Sequence, residues 1–167
     1  MRIFTFLSLL LVSACHVSPL YLTKGQETTA LTAAVDIQPI ADYEGYLMQN
    51  YLVAGLNPNQ INVEKKYRLN VHLDMPNISD QNIQNDNFSS RERMSLSVSY
   101  RLTDIQTGEN VISTTASATG AYNVATEPYA TWMAQKKVRE NLIKMLADRI
   151  TLHVVSFVKK NEAENEG

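Results

Sequence analysis

The chain has 167 residues, 44% apolar and 19% charged, with 15 Lys and Arg against 17 Asp and Glu for a formal net charge of -2. That length suits one domain whose core needs no covalent staples, and a single Cys excludes an internal disulfide or a Cys-rich metal cluster. The near-neutral charge carries no electrostatic footprint for nucleic acid, so no nucleic-acid partner is expected.

The first fifteen residues stand apart from the rest. Arg2 gives a positive start, Ile3 to Val12 form an apolar run, and Val12-Ser13-Ala14-Cys15 closes it with small residues. The run is about ten residues, short of the ~20 that a membrane-spanning helix needs. A lone Cys at that point resembles the lipobox of a bacterial lipoprotein, and this implies a thioether-linked diacylglycerol on Cys15. Residues 1–14 would then be removed and the new α-amine acylated with a palmitate-type chain. Anchoring to the membrane would run through these chains, two or more of which hold where one does not. Loss of Arg2 takes the formal charge from 15 − 17 = -2 to 14 − 17 = -3. Position 16 is His and not Asp, which in enterobacterial lipoproteins would permit sorting to the outer membrane in place of retention at the inner one.

Residues 15–31 are expected to be a tether, polar after the short Pro19-Leu20-Tyr21 knot. A domain is expected over 32–160, followed by a solvated acidic tail over 161–167. Within the domain, Thr32–Ile40 suits a short strand that Pro39 confines to an edge or an end. Tyr43, Leu47, Tyr51 and Ala54 then mark one face of a helix that Gly55 would terminate before Asn57-Pro58. Tyr67 to Asp74 and Arg93 to Leu102 alternate apolar and polar residues, as strands with one buried and one wet face do. Residues 75–90 between them are patternless and predict a long mobile hairpin loop. A turn at 104–109 with Gly108 leads to a strand from Val111 to about Tyr122, whose Ile112, Thr114, Ala116 and Ala118 would let a helix pack closely.

The last element is the most regular. Thr126 suits an N-cap and Pro128 the first helical position, and Val138, Leu142, Met145, Leu146, Ile150, Val154 and Phe157 form an apolar stripe. The spacing predicts a helix of about 30 residues, roughly 45 Å long. The fold class expected is therefore α+β in the order β-α-β-β-β-α, a small antiparallel sheet of about four strands with two helices on one face.

Catalytic chemistry is not evident. There is no Gly-x-Ser-x-Gly elbow and no glycine-rich phosphate loop, and His16, His72 and His153 lie at no zinc-ligand spacing. Asp80, Asn82, Asn85 and Asp86 lack the internal Gly and closing Glu of a calcium loop. No enzyme, metal or cofactor is expected. What remains is a set of arginines on wet-face parity, Arg68 on one clean strand and Arg91, Arg93 and Arg101 with the other. They read either as solubilising charge or as guanidinium forks for phosphate or carboxylate. Tyr122, Tyr129 and Trp132 around the start of the last helix read as helix–sheet packing, with a partner-facing aromatic patch as the alternative.

Taken in order, Cys15 with Pro19-Leu20-Tyr21, the Tyr-x-Leu-x-Val-x-Leu strand, Tyr100-Arg101-Leu102-Thr103-Asp104, Thr107-Gly108, Ala121-Tyr122-Asn123, Glu127-Pro128-Tyr129-Ala130 and Leu146-Ala147-Asp148-Arg149-Ile150 resemble the LPS-assembly lipoprotein LptE family in its alphaproteobacterial form. The resemblance runs from residue 1 to about 158. It implies an outer-membrane lipoprotein facing the periplasm, which plugs the LptD β-barrel and assists assembly of lipopolysaccharide in the outer leaflet. It also implies lipopolysaccharide binding through basic residues, for which Arg68, Arg91, Arg93 and Arg101 are the candidates. A lipid-anchored adaptor of another envelope secretion or barrel-assembly complex would share the anchor and the small domain.

Overall fold

The computed structural model describes residues 30–83 and 89–165, so Cys15, the segment before it and most of the tether lie outside the described residues. Five strands and two long helices follow a helical turn at 30–33. They are β1 (Val35–Ile37), α1 (Asp42–Leu56), β2 (Tyr67–Leu73), β3 (Asn77–Ile83), β4 (Ser89–Asp104), β5 (Asn110–Asn123) and α2 (Pro128–Asn165). The α+β class holds, with one strand more than expected.

The sheet is built around β4, whose 16 residues span roughly 53 Å at 3.3 Å per residue. One side of β4 pairs along its length with β5, Arg91 opposite Asn123 and Leu102 opposite Ile112. The other side carries two strands end to end, β2 against residues 98–104 and β3 against residues 89–95. Between them, Leu73 faces Val98 and Asn77 faces Ser95, four steps of chain against three, so the joint holds one extra residue. Asp74 keeps the ladder with its N–H on the Ser97 carbonyl at 3.0 Å, and Pro76 has no N–H to offer.

This arrangement corrects the expected loop over 75–90. Residues 77–83 are a strand and 89–90 already belong to β4, while 84–88 of the expected loop lie outside the described residues. Asn-Ile-Ser-Asp-Gln-Asn-Ile has only two strand formers, Ile78 and Ile83, and no alternation, and its backbone is drawn into the sheet by the open edge of β4. The all-antiparallel expectation is corrected too. β1 runs parallel to β2, because α1 carries the chain back between them as a crossover connection must.

α1 differs from its sequence reading in face and in end. The buried positions are Gly45, Met48, Leu52 and Leu56, whereas Tyr43 is exposed and Leu47 and Tyr51 only border the core. Both stripes have helical spacing, and the sheet takes the one that holds Met48 and Leu52. Gly55 is not the terminator. It lies in the last turn, where an added Cβ would come within 2.8 Å of the Thr151 side chain of α2. Asn57 ends the helix, its side chain accepting from the Ile61 N–H at 2.8 Å and donating to the Ile61 carbonyl at 3.0 Å.

α2 has 38 residues, about 57 Å at 1.5 Å per residue, and so matches the long hairpin beneath it. Its buried stripe is Leu142, Ile143, Leu146, Ala147, Ile150, Val154 and Val158. Met145, expected in the stripe, is half exposed. Thr126 lies outside the helix, and the hydroxyl that ties its entry is that of Thr131, on the Ala125 N–H at 2.9 Å. Residues 161–165 continue α2 in place of a free tail, with Asn161 donating to the Tyr67 hydroxyl at 2.8 Å and Glu162 pairing with Lys66 at 2.9 Å. The small face of β5 does what its composition suggests. Ala116 and Ala118 are buried, and a Cβ on Gly120 would stand 2.8 Å from Val138. α1 and α2 run parallel, Glu44 meeting Arg139 at one end and Gly55 meeting Thr151 at the other.

Candidate functional site

Strand parity puts Arg68, Arg91, Arg93 and Arg101 on the sheet face away from the helices. All four are exposed, while Leu69, Met94 and Leu102 beside them are buried. They do not form one cluster. Arg91 and Arg93 are two residues apart near the start of β4, at the end away from the β4–β5 turn. Arg101 faces Asn70 and Arg68 faces Thr103, which makes Arg68 and Arg101 diagonal neighbours about 7–8 Å apart. Eight residues separate Arg93 from Arg101, roughly 26 Å along the strand. Arg68 also lies 4.0 Å from Asp36 on β1.

Hydroxyls fill the space between the two pairs. Ser95, Ser97 and Ser99 of β4 face Thr119, Ser117 and Thr115 of β5, with 3.4 Å between the Ser95 and Thr119 oxygens. A shallow depression of about 420 Å³ is lined by Asn70, His72, Ser99, Arg101, Ser113 and Thr115. This face can donate charge-assisted hydrogen bonds at both ends and exchange neutral ones between them.

A second polar group lies under α2, where sequence reasoning did not look. Glu92 shares the inward parity of Met94 and Leu96, and that carboxylate on a core position was the signal available. It accepts the Tyr122 phenol proton, and Gln135 donates to the same phenol oxygen at 2.8 Å. Burial first, and the bond to Glu92 second, leave the Tyr122 phenol pushed up to about 12. A phenol with a raised value in the folded state contributes stability that is complete below pH ~10 and lost as pH rises toward 12. In a pH series of thermal melts, Tyr122→Phe should flatten that alkaline loss. Tyr100, also raised by burial, would leave a smaller slope, and an unchanged slope would mean that Tyr122 does not titrate there.

The aromatic residues at the helix start divide. Tyr122 is buried as expected, but Tyr129 and Trp132 are 72% and 54% exposed, so the packing reading fails for both. Among the described residues, no helix is long and apolar enough to cross a membrane.

This architecture, a long hairpin with α1 and α2 on one face, is that of a group of small bacterial lipoproteins. The chain is similar to a lipoprotein from Caulobacter crescentus CB15 (21% identity, TM-score 0.60, 81% of this chain and 97% of that one). It is similar as well to rare lipoprotein B from Shewanella oneidensis (12% identity, TM-score 0.62, 77% and 98%). A third match is lipoprotein B from Nitrosomonas europaea (11% identity, TM-score 0.56, 75% and 83%). At these identities the likeness shows a shared fold. No family model matches the chain, and no curated protein matches it in sequence.

Proposed function

We propose that the chain is an outer-membrane lipoprotein of the lipopolysaccharide transport machinery, seated as a plug in an LptD-type β-barrel and assisting lipopolysaccharide assembly by binding without turnover. The observation that carries this reading is the wet sheet face, two arginine pairs joined by a ladder of hydroxyls, on a fold shared with bacterial lipoproteins. Lipopolysaccharide is a phosphorylated glycolipid. Guanidinium forks suit its phosphates, and serine and threonine hydroxyls suit its sugars. The two pairs stand too far apart for one phosphate, so the ligand would be extended or each pair would meet a separate group. Acyl chains on Cys15 would hold the domain at the membrane, facing the periplasm and the barrel lumen.

Affinity purification from detergent extracts should bring down a large outer-membrane barrel of the lipopolysaccharide pathway. Recovery of a secretion or barrel-assembly component instead would support the adaptor reading, and recovery of no barrel would defeat the plug. In the same preparations, Arg91→Ala with Arg93→Ala should weaken lipopolysaccharide binding about tenfold, equal to about 1.4 kcal/mol. Arg68→Ala with Arg101→Ala tests the other end. Unaltered affinity in both double variants would remove this face from the binding site.

A further inference from the structure

The core stripe of α2 runs on past the helix it packs against. Trp132 stands seven residues before Arg139, in line with the fully buried Ile143, Leu146 and Ile150. α1 begins opposite Arg139, where Glu44 meets the guanidinium at 3.0 Å. Beyond that point Tyr43 is what α1 offers to the cleft that Trp132 lines, and the indole stays 54% exposed. Tyr129 lies against Trp132, ring centroids 5.9 Å apart, and the Lys136 ammonium sits 5.8 Å over the indole. Two clefts of about 270 and 460 Å³ share Tyr43, Glu44 and Arg139, and they join Trp132 to Met75, which projects from the β2–β3 joint 94% exposed.

Scattered apolar residues on a surface need no explanation, but a contiguous group does. Its composition identifies the occupant. The centre of a protein–protein interface is depleted in Lys, yet Lys136 lies on the central ring here. Trp, Tyr and Lys together are the types that settle at a membrane–water boundary, with apolar bodies inserted and polar tips among the head groups. Glu44 is committed to Arg139, and Asp42, Asp74 and Glu140 outnumber Lys136 around the two clefts, so the patch is mildly acidic and calls for a zwitterionic lipid and not an anionic one. The anchor can reach it. The fifteen steps of chain from Cys15 to Ala30 span at most about 50 Å. The way along α1 from Leu56, which holds the Thr32 hydroxyl at 2.6 Å, back to Tyr43 is about 20 Å.

We infer that this groove and its aromatic rim are a second, protein-borne contact with the bilayer, an interfacial seat for lipid head groups and upper acyl chains. The seat rests on the lipid anchor at Cys15 and not on the barrel. It describes the anchored domain before any partner takes it up.

Trp132 is the single Trp of the chain, so its fluorescence reports on this groove alone. The lipidated mature chain is reconstituted into phosphatidylcholine vesicles with and without bromine on the acyl chains. Trp132 should lose most of its emission in the brominated vesicles, and Tyr129→Ser with Met75→Ser should restore it. Co-flotation with the vesicles reports the anchor separately. A chain that floats with unquenched Trp132 overturns the seat and leaves the anchor standing, and a chain that does not float overturns both. A blue shift that grows with protein concentration in the absence of lipid would assign the groove to a second copy and overturn the seat.

Discussion

Replacing Leu146 with Ala is expected to destabilise the domain by about 2–5 kcal/mol, the range for a buried Leu whose cavity relaxes only in part. Leu146 is fully buried at the middle of the α2 stripe, between Leu142 and Ile150, where α2 meets both the sheet and α1. The neighbouring elements are fixed by hydrogen bonds and by one another, so little can move in to fill the space. In a domain of this size each kcal/mol lowers Tm by roughly 2–4 °C. Thermal melts of the variant should therefore fall well below those of Met145→Ala one position earlier, because Met145 is half exposed. Equal melting of the two would place the core on the wrong face of α2.

Gly55→Ala is expected to cost about 1–3 kcal/mol although the substitution favours helix formation locally. The new methyl would stand 2.8 Å from both Cγ2 and Oγ1 of Thr151. A β-branched side chain in a helix has little rotamer freedom with which to yield, so the two helices would have to part. Thr151→Ala removes both of those atoms. The double variant Gly55→Ala, Thr151→Ala should recover most of the loss, and a double-mutant cycle from denaturant melts measures the coupling. Strict additivity would show that the helices do not touch there.

The parts of the fold that the sequence displayed are those that bury one face against the other elements. β2 and most of β4 alternate because Leu69, Met94, Leu96, Val98 and Leu102 must point inward while arginines and serines stay wet. The wet-face placement of Arg68, Arg91, Arg93 and Arg101 followed from that parity. Their division into two pairs did not, because it depends on which residue of β2 lies opposite which residue of β4. β3 was invisible because an edge strand held by backbone hydrogen bonds leaves no mark in its side chains. Helix α1 displayed two stripes of equal spacing, and nothing local says which of them the sheet will take. Trp132 shows the same limit from the other side. It lies on the core stripe by spacing, and only the place where α1 starts leaves it in the open.

The Glu44–Arg139 pair joins residues 95 positions apart, and this separation bears on when the chain can fold. β4 and β5 are joined by a five-residue connection closed by Asp104, whose carboxylate accepts from the Gln106 and Thr107 N–H groups at 2.8 and 2.9 Å. That hairpin and α2 can form from local contacts, which cost little loop-closure entropy. β1 and α1 must wait, because β2 and α2, on which they pack, are made after them. Among the described elements, those made first are thus the last to be stabilised, and the N-terminal half lacks its packing partners until α2 has been synthesised.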